Sequence, residues 1–126
     1  MKTNTFFKEF KGKKIVITGH TGFKGSWLSL WLNHLGANVY GISNNFKINQ
    51  TNFNNFKMKK NIKNFDIDIR NFEKLNKVIK KIKPDFIFHF AAQSLVGASY
   101  KKPLYNFETN FNGTLNLLEV LRLSNF

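Results

Sequence analysis

Gly19, Gly22 and Gly25 stand three residues apart within Ile15-Val16-Ile17-Thr18-Gly19-His20-Thr21-Gly22-Phe23-Lys24-Gly25-Ser26-Trp27-Leu28. A glycine turns the chain where a Cβ would clash, and it lets the backbone come close to a bound pyrophosphate. The run before these glycines is short, apolar and β-branched, the composition of a buried parallel strand. After them Trp27, Leu28, Leu30, Trp31, Leu32 and Leu35 recur at near-helical spacing. A helix that starts at such a turn presents unpaired N–H groups and the positive end of its dipole to an anion. The chemistry this points to is phosphate binding. The strand-to-helix context makes the glycine pattern far more specific than the same spacing alone.

Several further elements must position that turn. The pattern predicts a first strand over about Lys13–Thr18 and a helix over about Gly25–Leu35 that stops at Gly36. A second strand at Asn38–Ile42 completes a βαβ unit with short connections. Ser43 to Lys63 is dominated by Asn and Lys and reads as a long excursion, with a helical turn near Phe53–Met58. A third strand is expected at Asn64–Ile67. Asn71–Ile82 reads as a helix, with Phe72, Leu75, Val78, Ile79 and Ile82 on one face and Pro84 past its end. Pro84–Ala92 is an apolar run suited to a sheet centre covered on both faces, and Gln93–Lys102 is a turn-rich link. One last helix is expected over about Pro103–Leu123. Ahead of the first strand, Phe6, Phe7 and Phe10 read as one helical turn packed on the domain or docked on a partner segment. The fold class is α/β: a Rossmann-like, doubly wound parallel sheet of about four strands, order 3-2-1-4, incomplete, with flanking helices.

Bulk composition narrows the function classes. At 126 residues there is room for a single domain with a real core. The absence of cysteine excludes disulfides and thiolate metal sites and fits a reducing cytoplasm, where the chain is expected to work. No apolar run approaches the roughly 18 to 20 residues of a membrane span, and no export signal or membrane partner is expected. The net charge of +13 raises a nucleic-acid reading. Against it, the basic residues are almost all Lys and are spread along the chain, and 18 residues are Asn. Lys, Asn, Phe and Ile enriched together indicate a whole-chain compositional bias, so nucleic acid is not the expected partner. The His and carboxylate residues show no metal-ligand spacing, and no metal site is expected.

Thr18-Gly19-x-x-Gly22-x-x-Gly25 resembles the nucleotide-binding turn of the extended short-chain dehydrogenase/reductases. Asp68-Ile69-Arg70, Ala91-Ala92-Gln93 and Thr109-Asn110-x-x-Gly113-Thr114 agree with that family in order and spacing. The wording of the first motif, and of Phe88-His89-Phe90-Ala91-Ala92-Gln93-Ser94-Leu95-Val96, is most similar to the CDP-glucose 4,6-dehydratase group of sugar-nucleotide dehydratases. The resemblance covers about residues 10 to 124, and about the first third of such an enzyme.

The resemblance implies a tightly held NAD that is reduced and re-oxidised within one turnover on a nucleotide-linked hexose. It implies that Gly19, Gly22 and Gly25 line the pyrophosphate, with N–H donors near Thr21, Phe23 and Lys24. Asp68 and Ile69 would flank the adenine, the carboxylate accepting from its exocyclic amine. Ala91 and Ala92 would pass under the nicotinamide-side ribose, with Gln93, Ser94 and Asn110 in the same crevice. The position after the second strand, where NAD-binding relatives usually carry an acid, reads Ser43-Asn44-Asn45. Ser43 or Asn44 would serve the ribose as neutral groups, NADP stays open beside NAD, and Lys24 and Lys47 favour a phosphate. The complete enzyme is expected to take a nucleotide sugar and to be a homo-oligomer.

The family's Tyr-x-x-x-Lys pair is absent: four residues after Tyr40, Tyr100 and Tyr105 stand Asn44, Leu104 and Thr109. No catalytic residue is therefore assigned. Residues 1–126 read as one dinucleotide-binding domain, an N-terminal fragment without the catalytic segment or the substrate domain, and inactive alone. The alternatives are a fragment of another extended reductase such as a sugar-nucleotide epimerase, a basic nucleotide- or RNA-binding module, and a split gene product. Of the remaining polar residues, His20 either touches phosphate or fills the turn, His89 reads as a satisfied core histidine, and His34 faces a helix C-terminus. Trp27 and Trp31 read as core. Asp66 and Asp68 alternate across a strand end, so one adenine contact is expected there and not an acid–base pair.

Overall fold

The computed structural model describes residues 8–44 and 62–126. Strand β1 (Lys14–Thr18) leads through the glycine turn into helix α1 (Phe23–His34), and β2 (Asn38–Ser43) follows. Next come β3 (Lys63–Asp66), α2 (Phe72–Ile82), β4 (Phe86–His89), and the short helices α3 (Val96–Lys101) and α4 (Pro103–Phe107). A π-helical turn over Glu108–Asn112 joins α4 to α5 (Gly113–Arg122). The four strands form one sheet in the order β3-β2-β1-β4, every pairing parallel, as the Rossmann-like pattern predicts.

Alternation along β1 explains its unbroken apolar run. Ile15 and Ile17 pack with Leu32, Val39 and Ile62 on the α1 side, while Val16 packs with Ile42, Leu75, Ile79, Leu117 and Val120 on the side of α2 and α5. A strand covered on both faces favours apolar side chains at successive positions, and β1 is polar only at its two ends, Lys14 and Thr18. Asp85 sets the start of β4 by accepting from the Lys14 backbone N–H at 2.8 Å and from Lys13 Nζ at 3.2 Å. Asn71 caps α2 by accepting from Lys74 N–H. The helix ends on Lys83 at φ 51°, directly before Pro84.

Some expectations move. β4 is shorter than the apolar run and borders the sheet among the described residues, so Phe86 to His89 are exposed or half-buried instead of covered on both faces. The last helix is not one α-helix but is broken by the π turn, and the 93–102 link holds α3. Trp27 and Trp31 are not core: each is about half exposed. The reason is that α1 turns its small residues, Gly25, Ser26 and Ser29, with Leu32, toward the sheet. That brings the helix too near β1 for an indole between them. Phe10 packs on the α1-side core and meets Phe86 edge-on, with ring centroids 5.5 Å apart. Phe6, Phe7, Asn45, Lys47 and the expected turn at Phe53–Met58 lie outside the described residues.

β1 has β2 on one side and β4 on the other, and β1 leads to α1 on one face of the sheet while β4 leads to α5 on the other. The loops that follow β1 and β4 touch at Gly19 and Ala91 and then run to opposite faces, which leaves a crevice at that switch in strand order.

Candidate functional site

The floor of the crevice is the glycine turn. Gly19 adopts φ +71°, and its N–H donates to the Ile42 carbonyl at 2.7 Å. A Cβ on Gly19 would stand 2.7 Å from Ala91 N, so the turn and the loop after β4 touch backbone to backbone. A Cβ on Gly25 would run into the Gly19 carbonyl oxygen, and one on Gly22 would stand 3.3 Å from the same atom. Gly22 is the N-cap of α1, with no side-chain hydrogen bond over the cap and no acid in the first turn. The first-turn amides of Phe23, Lys24 and Gly25 thus face the crevice with neither a capping oxygen nor a competing carboxylate, which suits an anion.

Beneath the turn lies His20, fully buried. Its Nε2 is 2.7 Å from Asn64 Oδ1 and its Nδ1 is 3.1 Å from Ser43 Oγ, which in turn accepts from the Thr21 hydroxyl. The ring occupies the space that a side chain at Gly41 would need. His20 therefore fills the turn from below and does not line the crevice. Burial holds its pKa below the usual 6.5, against opposing hydrogen bonds to Asn64 and Ile42. A depressed folded-state pKa means the neutral form is favoured by folding, so this contribution is present above pH 6.5 and is lost as the pH falls below it. The Ser43 hydroxyl is consumed in this network, and Ser43 is only 7% exposed, so the expected ribose contact through Ser43 Oγ is not free.

One wall is Asp68-Ile69. The Asp68 carboxylate accepts from Arg70 Nε and its terminal nitrogen (2.6 Å to Oδ2), from the Arg70 backbone N–H, and from Asn44 Nδ2 at 2.8 Å. Arg70 hydrogen-bonding holds its pKa below the usual carboxylate range. Asp68 is thus an ionised acceptor anchored on Arg70 and shared with Asn44. Arg70 itself lies over the Tyr105 ring, 4.7 Å from its centroid. Ile69 packs against Gly113, where a Cβ would force the end of the Ile69 side chain to shift. That accounts for the glycine in Thr109-Asn110-x-x-Gly113-Thr114.

The opposite wall is the loop leaving β4. Thr18 Oγ1 accepts from the N–H groups of Phe90 and Ala91, both at 3.2 Å. Asn110 closes the loop further on: its Oδ1 accepts from Gln93 N–H at 2.7 Å, and its Nδ2 donates to the Gln93 carbonyl at 3.0 Å. The π turn carries Asn110 and widens the helix there. His89 is half-buried between two hydroxyls, with Thr18 Oγ1 2.6 Å from Nδ1 and Thr114 Oγ1 3.0 Å from Nε2. As the sequence suggests, it is a satisfied histidine, but one that also faces the crevice.

The crevice has a volume of about 700 Å³. The structure brings together in it Gly19, Thr21, Gly22, Phe23, Lys24 and Gly25 from the turn, Ser43 and Asn44 after β2, and Asp68 and Ile69 after β3. Ala91, Ala92, Gln93 and Ser94 after β4 and Asn110 on the π turn complete the set. Motif reasoning missed Ile67, Phe90, Tyr105 and Thr109, which line it too. Thr109 Oγ1 is buried without a hydrogen-bond partner in the wall of the crevice. Its signal was its place beside Asn110 in the last motif. Asp66 stays exposed and apart, so no carboxylate pair forms. The arrangement suits an extended, anionic, partly aromatic ligand; it sets up no proton-transfer constellation.

Residues 16–126 match the family described as GDP-mannose 4,6 dehydratase. A CDP-glucose 4,6-dehydratase of Salmonella typhimurium is 43% identical over 113 residues, covering 90% of this chain and 32% of that protein. A CDP-paratose 2-epimerase of Salmonella typhi is 36% identical over 115 residues, covering 89% of this chain and 33% of its own. Among solved structures, an epimerase of Methanothermobacter thermautotrophicus superposes with a TM-score of 0.81 at 32% identity, covering 93% of this chain and 34% of that one. A UDP-glucose 4-epimerase of Thermus thermophilus, solved in complex with NAD, superposes with a TM-score of 0.76 at 30% identity, covering 86% and 33%. The chain therefore spans about a third of the length of the relatives it matches.

Proposed function

From the premise that this chain belongs to the GDP-mannose 4,6-dehydratase family, we propose that it forms the NAD-binding portion of a sugar-nucleotide 4,6-dehydratase acting on CDP-glucose. One observation carries the cofactor reading: four separate segments of sequence, each singled out by its motif, line one crevice with Ser43 and Asn44 around an uncapped helix N-terminus. The cradle fits the group. Gly19 and Gly25 let the turn close tightly on itself and on Ala91, Ile69 lines the crevice beside the Asp68 carboxylate, and Ala91 and Ala92 keep the opposite wall thin.

In this reading the amides of Phe23, Lys24 and Gly25 hold the pyrophosphate, with Lys24 adding charge. Asp68 and Ile69 orient the adenine. On the nicotinamide side Ala92 and Gln93 exclude water. The bound cofactor would supply hydride acceptance and return during loss of water from the sugar. The acid–base groups of that reaction are not in this chain, which lacks Tyr-x-x-x-Lys, so residues 1–126 alone are proposed to be inactive. A second reading is favoured by one feature. Ser43 and Asn44 are neutral where NAD-binding relatives usually carry an acid, which leaves NADP as the alternative cofactor.

The complete protein is proposed to be a cytoplasmic homo-oligomer. Supporting self-association, Leu104, Phe107, Phe111, Leu115 and Leu118 form an exposed apolar stripe of the kind that an interface between copies covers. No helix among the described residues is long and apolar enough to cross a membrane.

Calorimetric titration tests the cofactor reading. NAD is expected to bind this chain, and Gly22→Val is expected to weaken it about 100-fold or more, because its methyls enter the phosphate cradle. Unchanged binding by Gly22→Val would remove the pyrophosphate from this turn. Turnover of CDP-glucose by the 126-residue chain would refute the assignment of the missing acid–base groups.

A further inference from the structure

His89 stands in a run of hydrogen bonds whose directions can be worked out one by one. Thr114 Oγ1 donates to the Asn110 carbonyl at 2.7 Å. A hydroxyl has a single proton, so Thr114 Oγ1 can only accept from His89 Nε2, 3.0 Å away. His89 Nε2 therefore carries the proton in the neutral ring, and Nδ1 is the acceptor. Nδ1 lies 2.6 Å from Thr18 Oγ1, so the Thr18 hydroxyl donates to it. That leaves the lone pairs of Thr18 Oγ1 for the Ala91 N–H and for the Phe90 N–H, which it shares with the Thr18 carbonyl 3.0 Å away. The opposite tautomer fails at both ends. It would crowd Thr18 Oγ1 with the His89 and Ala91 N–H groups beside the shared Phe90 N–H, leave that hydroxyl's own proton unplaced, and take the Thr114 proton away from the Asn110 carbonyl.

We propose that His89 is a positioning residue: as its Nε2–H tautomer it orders the hydroxyls of Thr18 and Thr114 so that one directed hydrogen-bond run fixes the Ala91–Gln93 wall of the crevice. The run begins at the Phe90 and Ala91 amides and ends at the Asn110 carbonyl, whose own side chain holds Gln93 by both N–H and C=O. It thereby ties β1, β4, the loop and the π turn into one unit. The wall also seals the turn, since Ala91 N is the atom that a Cβ on Gly19 would meet. Only the consequence for a cofactor rests on the dinucleotide reading; the direction of the run does not.

The test uses the full chain, uniformly labelled with ¹⁵N, at a pH where the ring is neutral. His89 is expected to show one protonated nitrogen, assigned to Nε2, and one bare nitrogen, assigned to Nδ1. Thr114→Val removes the acceptor of Nε2–H and is expected to mix the tautomers and to lower the exchange protection of the Ala91 and Gln93 amides about tenfold. Thr114→Ser keeps the hydroxyl and is expected to restore both readings, which a packing role of the threonine methyl would not. A protonated Nδ1 or a mixed ring in the unsubstituted chain would overturn the proposal. So would unchanged protection in a folded Thr114→Val variant, or failure of Thr114→Ser to restore the tautomer. NAD titration of the same samples is read separately: loss of binding with an intact tautomer would count against the cofactor reading alone.

Discussion

Gly25→Val will unfold or nearly unfold the domain, with a loss of about 3 kcal/mol or more in urea denaturation. The Cβ itself would enter the Gly19 carbonyl oxygen and stand 2.8 Å from His20 Cα, both backbone atoms that no rotamer change can move. Relief would require α1 to back away from the turn. Ser26, Ser29 and Leu32 are buried on the same face, so backing away opens the core as well. A marginally stable domain has a total of only about 5 to 15 kcal/mol to lose. Gly97→Ala is the control: a Cβ there meets nothing within 4 Å, and in helix α3 the change should be neutral or stabilising by up to about 1 kcal/mol. Similar midpoints for the two variants would mean that the close approach at Gly25 is not a feature of the folded chain.

Gly41→Val carries the second largest effect, about 2 to 3 kcal/mol. Gly41 lies inside β2, paired with Ile17, and a Cβ there would enter the His20 ring. The ring cannot swing aside, since it is fully buried and held at both nitrogens by Asn64 and Ser43. The clash is pairwise, so a double-mutant cycle isolates it. His20→Ala in the Gly41→Val background should recover part of the loss, whereas His20→Ala alone destabilises by leaving Ser43 and Asn64 without their partner. Strictly additive losses would contradict the packing of His20 under the turn. Because the buried ring is held neutral, the unsubstituted chain should also lose stability as the pH falls below about 6.5, and the His20→Ala variant less so.

The two glycines show what sequence can and cannot reveal. Gly25 is legible because its spacing from Gly19 and Gly22 encodes a turn whose function imposes the pattern. Gly41 stands alone in a strand, and nothing local says that a histidine 21 residues earlier will fill its space. The same contrast holds along the chain. β1 reads correctly because a strand buried on both faces favours apolar side chains at successive positions. β4 reads too long because an apolar run does not say where pairing with β1 stops, at His89 opposite Thr18. Trp27 and Trp31 misled because the helical period marks one side of α1, while the small residues Gly25, Ser26 and Ser29 decide which side approaches the sheet. The π turn has no periodic signature, since one extra residue per turn over Glu108–Asn112 does not disturb a three-or-four spacing. Asp68 was legible as a crevice residue, but its anchoring on Arg70 and Asn44 depends on tertiary contact. Thr109 shows itself as an unpaired hydroxyl only once the wall is built.

The central claim is that the glycine turn and the loops after β2, β3 and β4 hold one dinucleotide. Residue-resolved NMR during titration of the ¹⁵N-labelled chain with NAD tests it most directly. Shifts are expected at Gly19 to Gly25, at Asp68 and Ile69, at Ala91 to Gln93 and at Asn110, saturating together with one affinity, with the Lys-bearing outer face of α2 unmoved. Absence of shifts at the turn under saturating NAD, or shifts spread over the lysines of α2 that vanish with added salt, would contradict it.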